Sequence, residues 1–386
     1  MTRRIDPDEY ERQRWAIRNA RLDEASSRRT RDGRRVPRRR RSIRRTLGLI
    51  LLVIVLVVGT GAVLVGMRAA TFNERVSTAP FLSADLFGPL NGSDPVNILM
   101  VGYGGADHEG GYLADSINIL SIDPATDTTT TIPVPRDLWI EGVDPYGPDA
   151  GIKVNLAFAV GEQEGGIPVA GERLASVLSD VTGLAITHWM AIDFNGFREM
   201  VDAVGGVTIT NPVEFSYTQN EQLYQSGVFN EGSFAAGELH LDGAQALAYA
   251  RARYTSVITE SSDYARSARQ ARIISGLRSS LGAGGIGAIG PGLGMMDALE
   301  GRLQTDLSAF DLFLLSGHLT SDRRVELTED VALSATTSTD GQYILIPVDW
   351  TGPGSYGSLQ AYIADSLAEP IPSPTPSGTD AAAGAP

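Results

Sequence analysis

The pattern of hydrophobic and polar positions predicts one long apolar segment near the start of the chain. Residues 46–66 (TLGLILLVIVLVVGTGAVLVG) carry no charge over 21 positions. A helix of that length, at about 1.5 Å rise per residue, matches a hydrocarbon core of roughly 30 Å. The alternative is a cleaved signal peptide, but both the apolar segment and the charged region before it are long for one. We therefore expect a transmembrane helix over residues 46–66.

After this segment the pattern predicts short strands separated by turns. Residues 96–101 (VNILMV) are apolar, and residues 116–122 (SINILSI) alternate and are rich in β-branched side chains. Residues 128–134 (TTTTIPV) follow after an Asp- and Pro-containing turn, which predicts a hairpin. Further strands are expected at residues 187–192 and 207–210.

Amphipathic stretches between and after these strands predict helices. They cover residues 169–181, residues 195–204 with Asn195 or Asp193 as N-cap, residues 242–251, and a longer helix that starts at Ser262 or Asp263. Because strands and helices are interspersed, we expect an α/β protein, an α-β-α sandwich with a mixed central sheet, preceded by one transmembrane helix.

The charge distribution predicts how the chain is oriented. Residues 1–45 contain 17 Arg and 7 acidic residues, so the net charge of −14 combines a basic head of +10 with a body of −24. By the positive-inside rule we expect a single-pass cell-membrane protein with a cytoplasmic N-terminus and a body outside the cytoplasm. The basic head either contacts anionic lipid or a cytoplasmic partner, or is a disordered topology signal. No nucleic-acid partner is expected, because neither a stacking series of aromatics nor a helix-turn-helix pattern follows the Arg runs.

Composition limits the chemistry and the domain boundaries. The chain has no Cys, which excludes disulfides, thiolate metal sites and cysteine nucleophiles, and its four His residues are widely separated. The expected segments are a basic and disordered segment (1–45), the span (46–66), a juxtamembrane linker (67–92), a domain core (93–285), the C-terminal part of the body (286–369) and a disordered Pro/Ala-rich tail (370–386).

A cluster of arginines in the acidic body predicts an anion site. Five Arg fall within 22 residues: Arg251, Arg253, Arg266, Arg269 and Arg272. Arg266, Arg269 and Gln270 share one face of a predicted helix, whose N-terminal amides add positive charge. One guanidinium group can bind two phosphate oxygens at once, so arginines at this spacing suit a phosphate or a pyrophosphate. The alternative is that these Arg pair with acids such as Asp263 and Glu260.

Three further positions are candidates for the same chemistry. Arg136 and Asp137 directly follow an apolar strand, at a sheet edge where ligands often bind or as an ordinary ion pair. Lys153, the only lysine of the chain, alternates with Asn155. Asp115 opens the second predicted strand and could ligate Mg²⁺, which prefers carboxylate and phosphate oxygens.

Taken in order, these motifs resemble the LytR-CpsA-Psr family, also called the cell envelope-related transcriptional attenuator domain. The matching stretches run from about residue 96 to residue 274: VNILMVGYGG, ADSINILSIDPATDTTTTIPVPRDLWI, GIKVNLAFAVGE, THWMAIDFNGFREMVDAVGGVTI, LDGAQALAYARARYT and SSDYARSARQARII. The resemblance implies a phosphotransferase for cell envelope assembly. Such an enzyme moves a glycosyl phosphate from a polyprenyl-pyrophosphate carrier to peptidoglycan. The lipid chain of the carrier lies in a tunnel between the sheet and the helices of the enzyme.

The resemblance also implies roles for residues. Pyrophosphate binding would fall to Arg136, Lys153, Arg251, Arg253, Arg266, Arg269 and Gln270. Asp115, and with it Asp137, would hold or orient Mg²⁺. Arg136 would act in catalysis, and Asp137 or Asp263 would be the general base that deprotonates the acceptor hydroxyl.

Two departures from the family pattern leave an alternative open. The family usually has an acidic residue where this chain has Gly104, and an Arg where it has Leu113; Asp107, His108 and Glu109 lie close by as substitutes. A missing phosphate contact would weaken transition-state stabilisation. The alternative is therefore a non-catalytic scaffold that binds polyprenyl pyrophosphate or the wall. A transcription regulator is less favoured, since few residues would remain in the cytoplasm.

Overall fold

The computed structural model describes residues 11–12, 14–20, 63–106, 108, 110–141, 151–282, 289–316, 318, 323–329 and 331–369. The chain divides into two compact units, Met1–Val65 and Gly66–Pro386. In the first unit, residues 11–12 and 14–20 are helical, where disorder was predicted. The other predictions for residues 1–62, and the predicted tail at 370–386, lie outside the described residues.

The predicted membrane anchor needs correction. Of the span expected at 46–66, only residues 63–66 are described, and they belong to a helix over residues 63–76 (α1). Across the described ranges, no helix combines the length and the apolar character needed to cross a bilayer. This finding contradicts the expectation of a single-pass membrane protein with a cytoplasmic N-terminus. It also gives no support to the transmembrane helix in the predicted fold description, of which residues 46–62 lie outside the described residues.

The second unit is built around one mixed sheet of six strands in the order β12-β6-β1-β2-β3-β13. These strands are β1 (Val96–Tyr103), β2 (Ala114–Asp123), β3 (Thr128–Pro133), β6 (Ile186–Asp193), β12 (Leu303–Thr305) and β13 (Arg323–Arg324). β1 runs antiparallel to β2 and parallel to β6, and β2 runs antiparallel to β3. The predicted α/β class, mixed sheet and hairpin are confirmed.

Both faces of this sheet are covered, because alternate residues of β1 point to opposite sides. On one face Leu99 and Val101 pack with the helix α3 (Val154–Thr182) and the helix α10 (Gly357–Ala368). On the other face Val96 and Ile98 pack with the helices α2 (Phe87–Leu90) and α9 (Ala309–Ser316). The result is the three-layered α-β-α sandwich that the sequence predicted.

A smaller sub-structure with its own core adjoins the sheet. It contains β7 (Val207–Asn211), β8 (Phe215–Thr218), β9 (Gly232–Phe234), β10 (Gly237–Leu241) and β11 (Tyr254–Thr255), and the helices α4 (Phe194–Ala203), α5 (Glu221–Gln225), α6 (Gly243–Arg251) and α7 (Asp263–Gly282). Its core holds Phe215, Phe234 and Tyr249. Asp242 caps α6, the helix predicted over residues 242–251, in a capping box with Gln245.

The remaining elements are β4 (Trp139–Glu141), β5 (Gly151–Lys153), the helix α8 (Ile289–Leu299), β14 (Leu333–Thr337) and β15 (Tyr343–Pro347). The segment predicted as a linker, 67–92, has side chains in the core of the second unit: Phe72, Val76 and Leu86 are buried. Leu86 donates its backbone N–H to Asp311 over 2.9 Å. This contact holds the segment against α9.

Candidate functional site

The predicted site residues of the sheet meet where β2 begins and β3 ends. Antiparallel pairing places Asn118 opposite Pro133, and Val134 donates to the carbonyl oxygen of Ile117 over 2.9 Å. Asp115 therefore lies beside Arg136, although 20 positions along the sequence separate them. The shortest distance between Arg136 Nη1 and Asp115 Oδ1 is 3.6 Å.

Arg136, Asp137 and Lys153 form a half-buried chain of charges next to Asp115. Lys153 Nζ donates to Asp137 Oδ1 over 2.5 Å, and Arg136 Nε lies 3.5 Å from Asp137 Oδ2. The second distance satisfies an ion pair, but Arg136 Nε is buried and has no hydrogen-bond partner in the described structure. A buried donor without an acceptor costs about 1–3 kcal/mol, so the hydrogen-bonding capacity of Arg136 is not fully used within this cluster.

Helix α7 brings a second set of polar groups to the same place. Arg266 donates to the backbone carbonyl oxygen of Asp115 over 3.0 Å, and the Ser116 hydroxyl donates to Gln270 over 2.9 Å. One small cavity is lined by residues of all three segments: Asp115, Ser116, Ile117, Val134, Pro135, Arg136, Arg266, Ser267 and Gln270. The structure thus brings Arg136, Arg266, Gln270 and Asp115 together, as the predicted anion site requires.

Arg251 and Arg253, at and just after the end of α6, each lie over an aromatic ring. The Arg251 guanidinium carbon is 4.3 Å from the centre of the Phe194 ring, and that of Arg253 is 5.1 Å from the centre of the Tyr254 ring. Burial raises the pKa of Tyr254, while the charges of Arg253 and Arg136 act in the opposite direction. The charges of Arg253 and Arg136 therefore both act on the Tyr254 phenol.

Arg269 differs from the other predicted ligands because its side chain is fully buried. It donates to Glu260 Oε2 and to the backbone carbonyl oxygens of Glu260, Tyr249 and Ala252. Burial lowers the pKa of this guanidinium, and Glu260 opposes that effect. The alternative that Arg269 pairs with Glu260 is therefore what the structure shows, with both partners inside the protein. Direct contact of Arg269 with a phosphate stays a prediction that this geometry does not favour.

The last predicted candidates are only partly described. Asp263 is the first residue of α7, and its side chain lies outside the described residues, as do Asp107 and Glu109. Arg272 donates to the hydroxyl of Tyr249 over 3.2 Å and so contacts the smaller core. The backbone N–H of Asn155 donates to the carbonyl oxygen of Arg136 over 3.4 Å, which ties the start of α3 to the charged loop.

The loop between β1 and β2 leaves little space for a side chain at position 104, where the chain has glycine. Gly105 donates to the carbonyl oxygen of Gly111 over 2.8 Å, so the loop closes on itself. A Cβ at position 104 would lie 2.9 Å from the Cβ of His108 and 3.2 Å from the Cα of Gly111. An acidic side chain at position 104 therefore does not fit this loop conformation. His108 instead packs its ring edge-on against Phe194, with 5.2 Å between centroids.

The predicted Mg²⁺ has one candidate carboxylate among the described residues of this cluster. Nowhere in the described ranges do three or more His, Asp or Glu side chains gather as a metal site. Asp137 already has its two oxygens directed at Lys153 and Arg136. Asp115 is one-third exposed and adjoins the cavity, so it fits the mode in which Mg²⁺ uses one protein carboxylate together with substrate phosphates.

Phe194 is a residue of the site that the sequence alone did not single out. Its motif, DFNGF, indicated a helix start, and Asp193 does cap α4 by accepting from Gly196 over 2.7 Å. The capping geometry directs the intervening aromatic ring under Arg251. The available signal was an aromatic residue at the first position of a helix that follows a buried strand.

Comparisons with known proteins agree with this fold. A family model described as the LytR_cpsA_psr family matches residues 67–347. A polyisoprenyl-teichoic acid–peptidoglycan teichoic acid transferase TagU from Oceanobacillus iheyensis is 30% identical over 68% of this chain and 76% of its own. The TagU of Enterococcus faecalis is 28% identical over 69% of this chain and 78% of its own. The crystal structure of protein gbs0355 from Streptococcus agalactiae matches with a TM-score of 0.53 at 24% identity, over 73% of this chain and 91% of that one.

Proposed function

The chain belongs to the LytR-CpsA-Psr family, and on that basis we propose that it is a phosphotransferase of cell envelope assembly. It would move a glycopolymer, as its glycosyl phosphate, from a polyprenyl-pyrophosphate carrier to peptidoglycan. The relatives support the reaction class, since two that align over two-thirds of this chain are named as transferases from a polyisoprenyl-linked teichoic acid to peptidoglycan.

The single observation that carries the proposal is the convergence of Arg136, Arg266, Gln270 and Asp115 on one cavity. These residues come from three separate segments of the chain. Two arginines meet here although the body as a whole is strongly acidic, so the positive charge is a property of this place and not of the surface in general. Two guanidinium groups beside an amide and a partly exposed carboxylate suit the oxygens of a diphosphate that carries a metal ion. The cavity between them measures about 20 Å³, so the diphosphate would lie at its mouth. Arg253, over Tyr254, and Arg251, over Phe194, would add cationic groups for the same substrate.

The reaction is a displacement at phosphorus. The acceptor hydroxyl oxygen forms a bond to the phosphorus of the glycosyl phosphate, and the bond from that phosphorus to the bridging oxygen breaks. Polyprenyl phosphate leaves with the electron pair, and the hydroxyl proton passes to a base. Arg136 and Arg266, which both line the cavity, would stabilise the charge on the phosphoryl oxygens.

Asp115 would hold Mg²⁺ together with the substrate diphosphate, and the ion when bound would neutralise phosphate charge. Asp137 would orient the cations around it, because Lys153 and Arg136 both contact its carboxylate. As general base we keep two candidates: Asp137, which lies among the phosphate-binding groups, and Asp263, at the start of the helix that carries Arg266. Arg269 would position the segment that carries Arg251 and Arg253, since it binds the carbonyl oxygens on both sides of Arg251.

The experiment is a two-part assay on the full chain. Binding of farnesyl diphosphate is measured by calorimetry, and transfer is measured from a polyprenyl-pyrophosphate-linked glycan to peptidoglycan with Mg²⁺ present. Arg136→Ala and Arg266→Ala are each expected to weaken diphosphate binding by tenfold or more, since one charged hydrogen bond is worth about 1.5–3 kcal/mol. Arg251→Ala with Arg253→Ala should abolish transfer. Arg278→Ala, an exposed arginine on the same helix as Arg266, is the matched control.

Full transfer by the Arg136→Ala variant would refute the proposed site. The departures at Gly104 and Leu113 favour one competing outcome, in which the wild-type chain binds farnesyl diphosphate yet forms no glycan–peptidoglycan product. That result would make the protein a diphosphate-binding scaffold and would overturn the transferase.

A further inference from the structure

A second cavity, of about 390 Å³, opens where the parallel strands β1 and β6 end. Tyr103 and Asp193, the last residues of these strands, are opposite each other in register and both line it. The carboxyl ends of parallel strands are a common place for ligands in α/β proteins. The volume lies within the range of small-molecule sites.

The cavity walls combine stacked aromatic rings with planar polar groups. The rings of Tyr103 and Tyr112 lie 6.2 Å apart at an angle of 23°. The polar lining comprises Glu162, Asp193, Asn195, Arg302 and Gln304. A pyranose ring offers apolar C–H faces for aromatic rings and hydroxyl groups for carboxylates and amides, so this lining has the chemistry that recognises a sugar.

The charges of the cavity select against an anionic sugar polymer. Two carboxylates, Glu162 and Asp193, face one guanidinium, Arg302, and Arg302 Nη1 lies 3.4 Å from Asp193 Oδ2. Burial raises the pKa of Tyr103, and the negative charges of Asp193 and Glu162 raise it further. The local field is therefore negative, which disfavours a phosphate-bearing chain and permits a neutral one.

The backbone around the cavity has been shaped by glycines in the left-handed region. Gly105, Gly166 and Gly301 have φ angles of +87°, +79° and +73°, and each lines the cavity. At Gly165 and Gly166 the helix α3 is interrupted, with Pro168 two residues further on. Other residues are strained at such φ values, so three separate segments turn at the cavity through positions that favour glycine.

The start of α4 connects this cavity to the arginine cluster. Asp193 and Asn195 line the cavity, and Phe194 between them lies under the Arg251 guanidinium. A sugar held here would contact residues on either side of Phe194 in the chain. We propose that the cavity binds an uncharged amino-sugar unit of the acceptor glycan, an inference that rests on the proposed transferase function.

The test measures binding of a neutral N-acetylglucosamine tetramer to the full chain by calorimetry. Wild type should bind it, and Tyr112→Ala should weaken binding by about two- to tenfold, the value of one aromatic contact. Glu162→Gln, which removes a hydrogen-bond acceptor with little change in volume, should also weaken it. Glu172→Gln, an exposed position on the same helix, is the matched control and should bind as wild type does.

Three results would overturn the inference: no binding of the tetramer by wild type, equal binding by wild type and both cavity variants, or displacement of the tetramer by poly(glycerol phosphate). Failure of the proposed function looks different. In that case farnesyl diphosphate does not bind, or no product forms. The sugar tetramer still binds to the wild-type chain, and it binds equally well to the Arg136→Ala variant. A rise in the acceptor KM of Tyr112→Ala, with the donor KM unchanged, would support both.

Discussion

Arg269 and Glu260 form an ion pair inside the protein, with 2.8 Å between Nη1 and Oε2 and no exposed surface on the arginine side chain. The same guanidinium binds the carbonyl oxygens of Tyr249 and Ala252. Arg251 lies between those two residues in the chain. The buried pair therefore fixes the backbone that presents Arg251 to the ring of Phe194.

Replacement of this arginine should cost both stability and binding. In Arg269→Lys a single ammonium group replaces a planar fork with several donors, and it cannot serve Glu260 and three carbonyl oxygens together. We expect a loss of about 3–5 kcal/mol in the free energy of unfolding, measured by urea titration, as for a broken buried pair. Farnesyl diphosphate should also bind more weakly. Arg278→Lys on the same helix is the control, and equal stability of the two variants would contradict the argument.

Lys153 should matter through Asp137. In Lys153→Met the carboxylate loses its 2.5 Å partner and keeps only Arg136 in this cluster. We expect a loss of about 1–3 kcal/mol in the free energy of unfolding, because both groups are largely shielded from water. Lys153→Arg should recover only part of this loss, since a guanidinium differs from an ammonium in shape. Unfolding curves of Lys153→Met that overlay those of wild type would show that the pair contributes nothing.

The sequence predicted the strands β1, β2 and β3 and the β2-β3 hairpin, because alternating β-branched residues and a tight turn are local signals. The spacing of Arg266 and Gln270 also predicted that they share one helix face. In the structure both line the cavity with Asp115. The same spacing did not indicate that Arg269 is buried. Residues three and four apart span a wide stripe of a helix, and only packing against Tyr249 and Ala252 decides which edge of that stripe is buried. The membrane span was predicted from hydropathy alone, and no helix of the described ranges supports it.

The pair His188–Asp306 should make stability depend on pH. The distance between His188 Nδ1 and Asp306 Oδ2 is 3.1 Å. Burial lowers the pKa of His188, but the hydrogen bond and charge of Asp306, with Asp85 and Asp311, outweigh burial and leave it above 6.5. A raised folded-state pKa gives stability that is complete below the unfolded value and is lost as pH rises through the folded value.

The measurement is the free energy of unfolding in urea from about pH 5.5 to pH 8.5. Wild type should lose stability relative to His188→Gln as the pH increases across this range. The difference between the two proteins should be largest at the acidic end. A difference that stays constant with pH, or grows towards the alkaline end, would contradict the assignment.

Gly104 should not tolerate an acidic side chain. In Gly104→Asp the new Cβ would meet the Cβ of His108 at 2.9 Å and the backbone of Gly111. We expect a loss of about 1–3 kcal/mol in the free energy of unfolding from overpacking, without a gain in transfer rate. His108→Gly in the same chain removes one of the two contacts and should return part of the loss. Higher activity of the single variant would show that the loop opens readily.

Lys153 has a practical consequence because it is the only lysine among 386 residues. Apart from the terminal amine, a reagent that acylates primary amines has a single side-chain target, and that target touches Asp137 in the charged cluster. If an added diphosphate shields the Lys153 amine from acylation, mass spectrometry of the one peptide that contains Lys153 would show less acylated product. The protein thus carries a built-in occupancy probe, and no engineered label is needed.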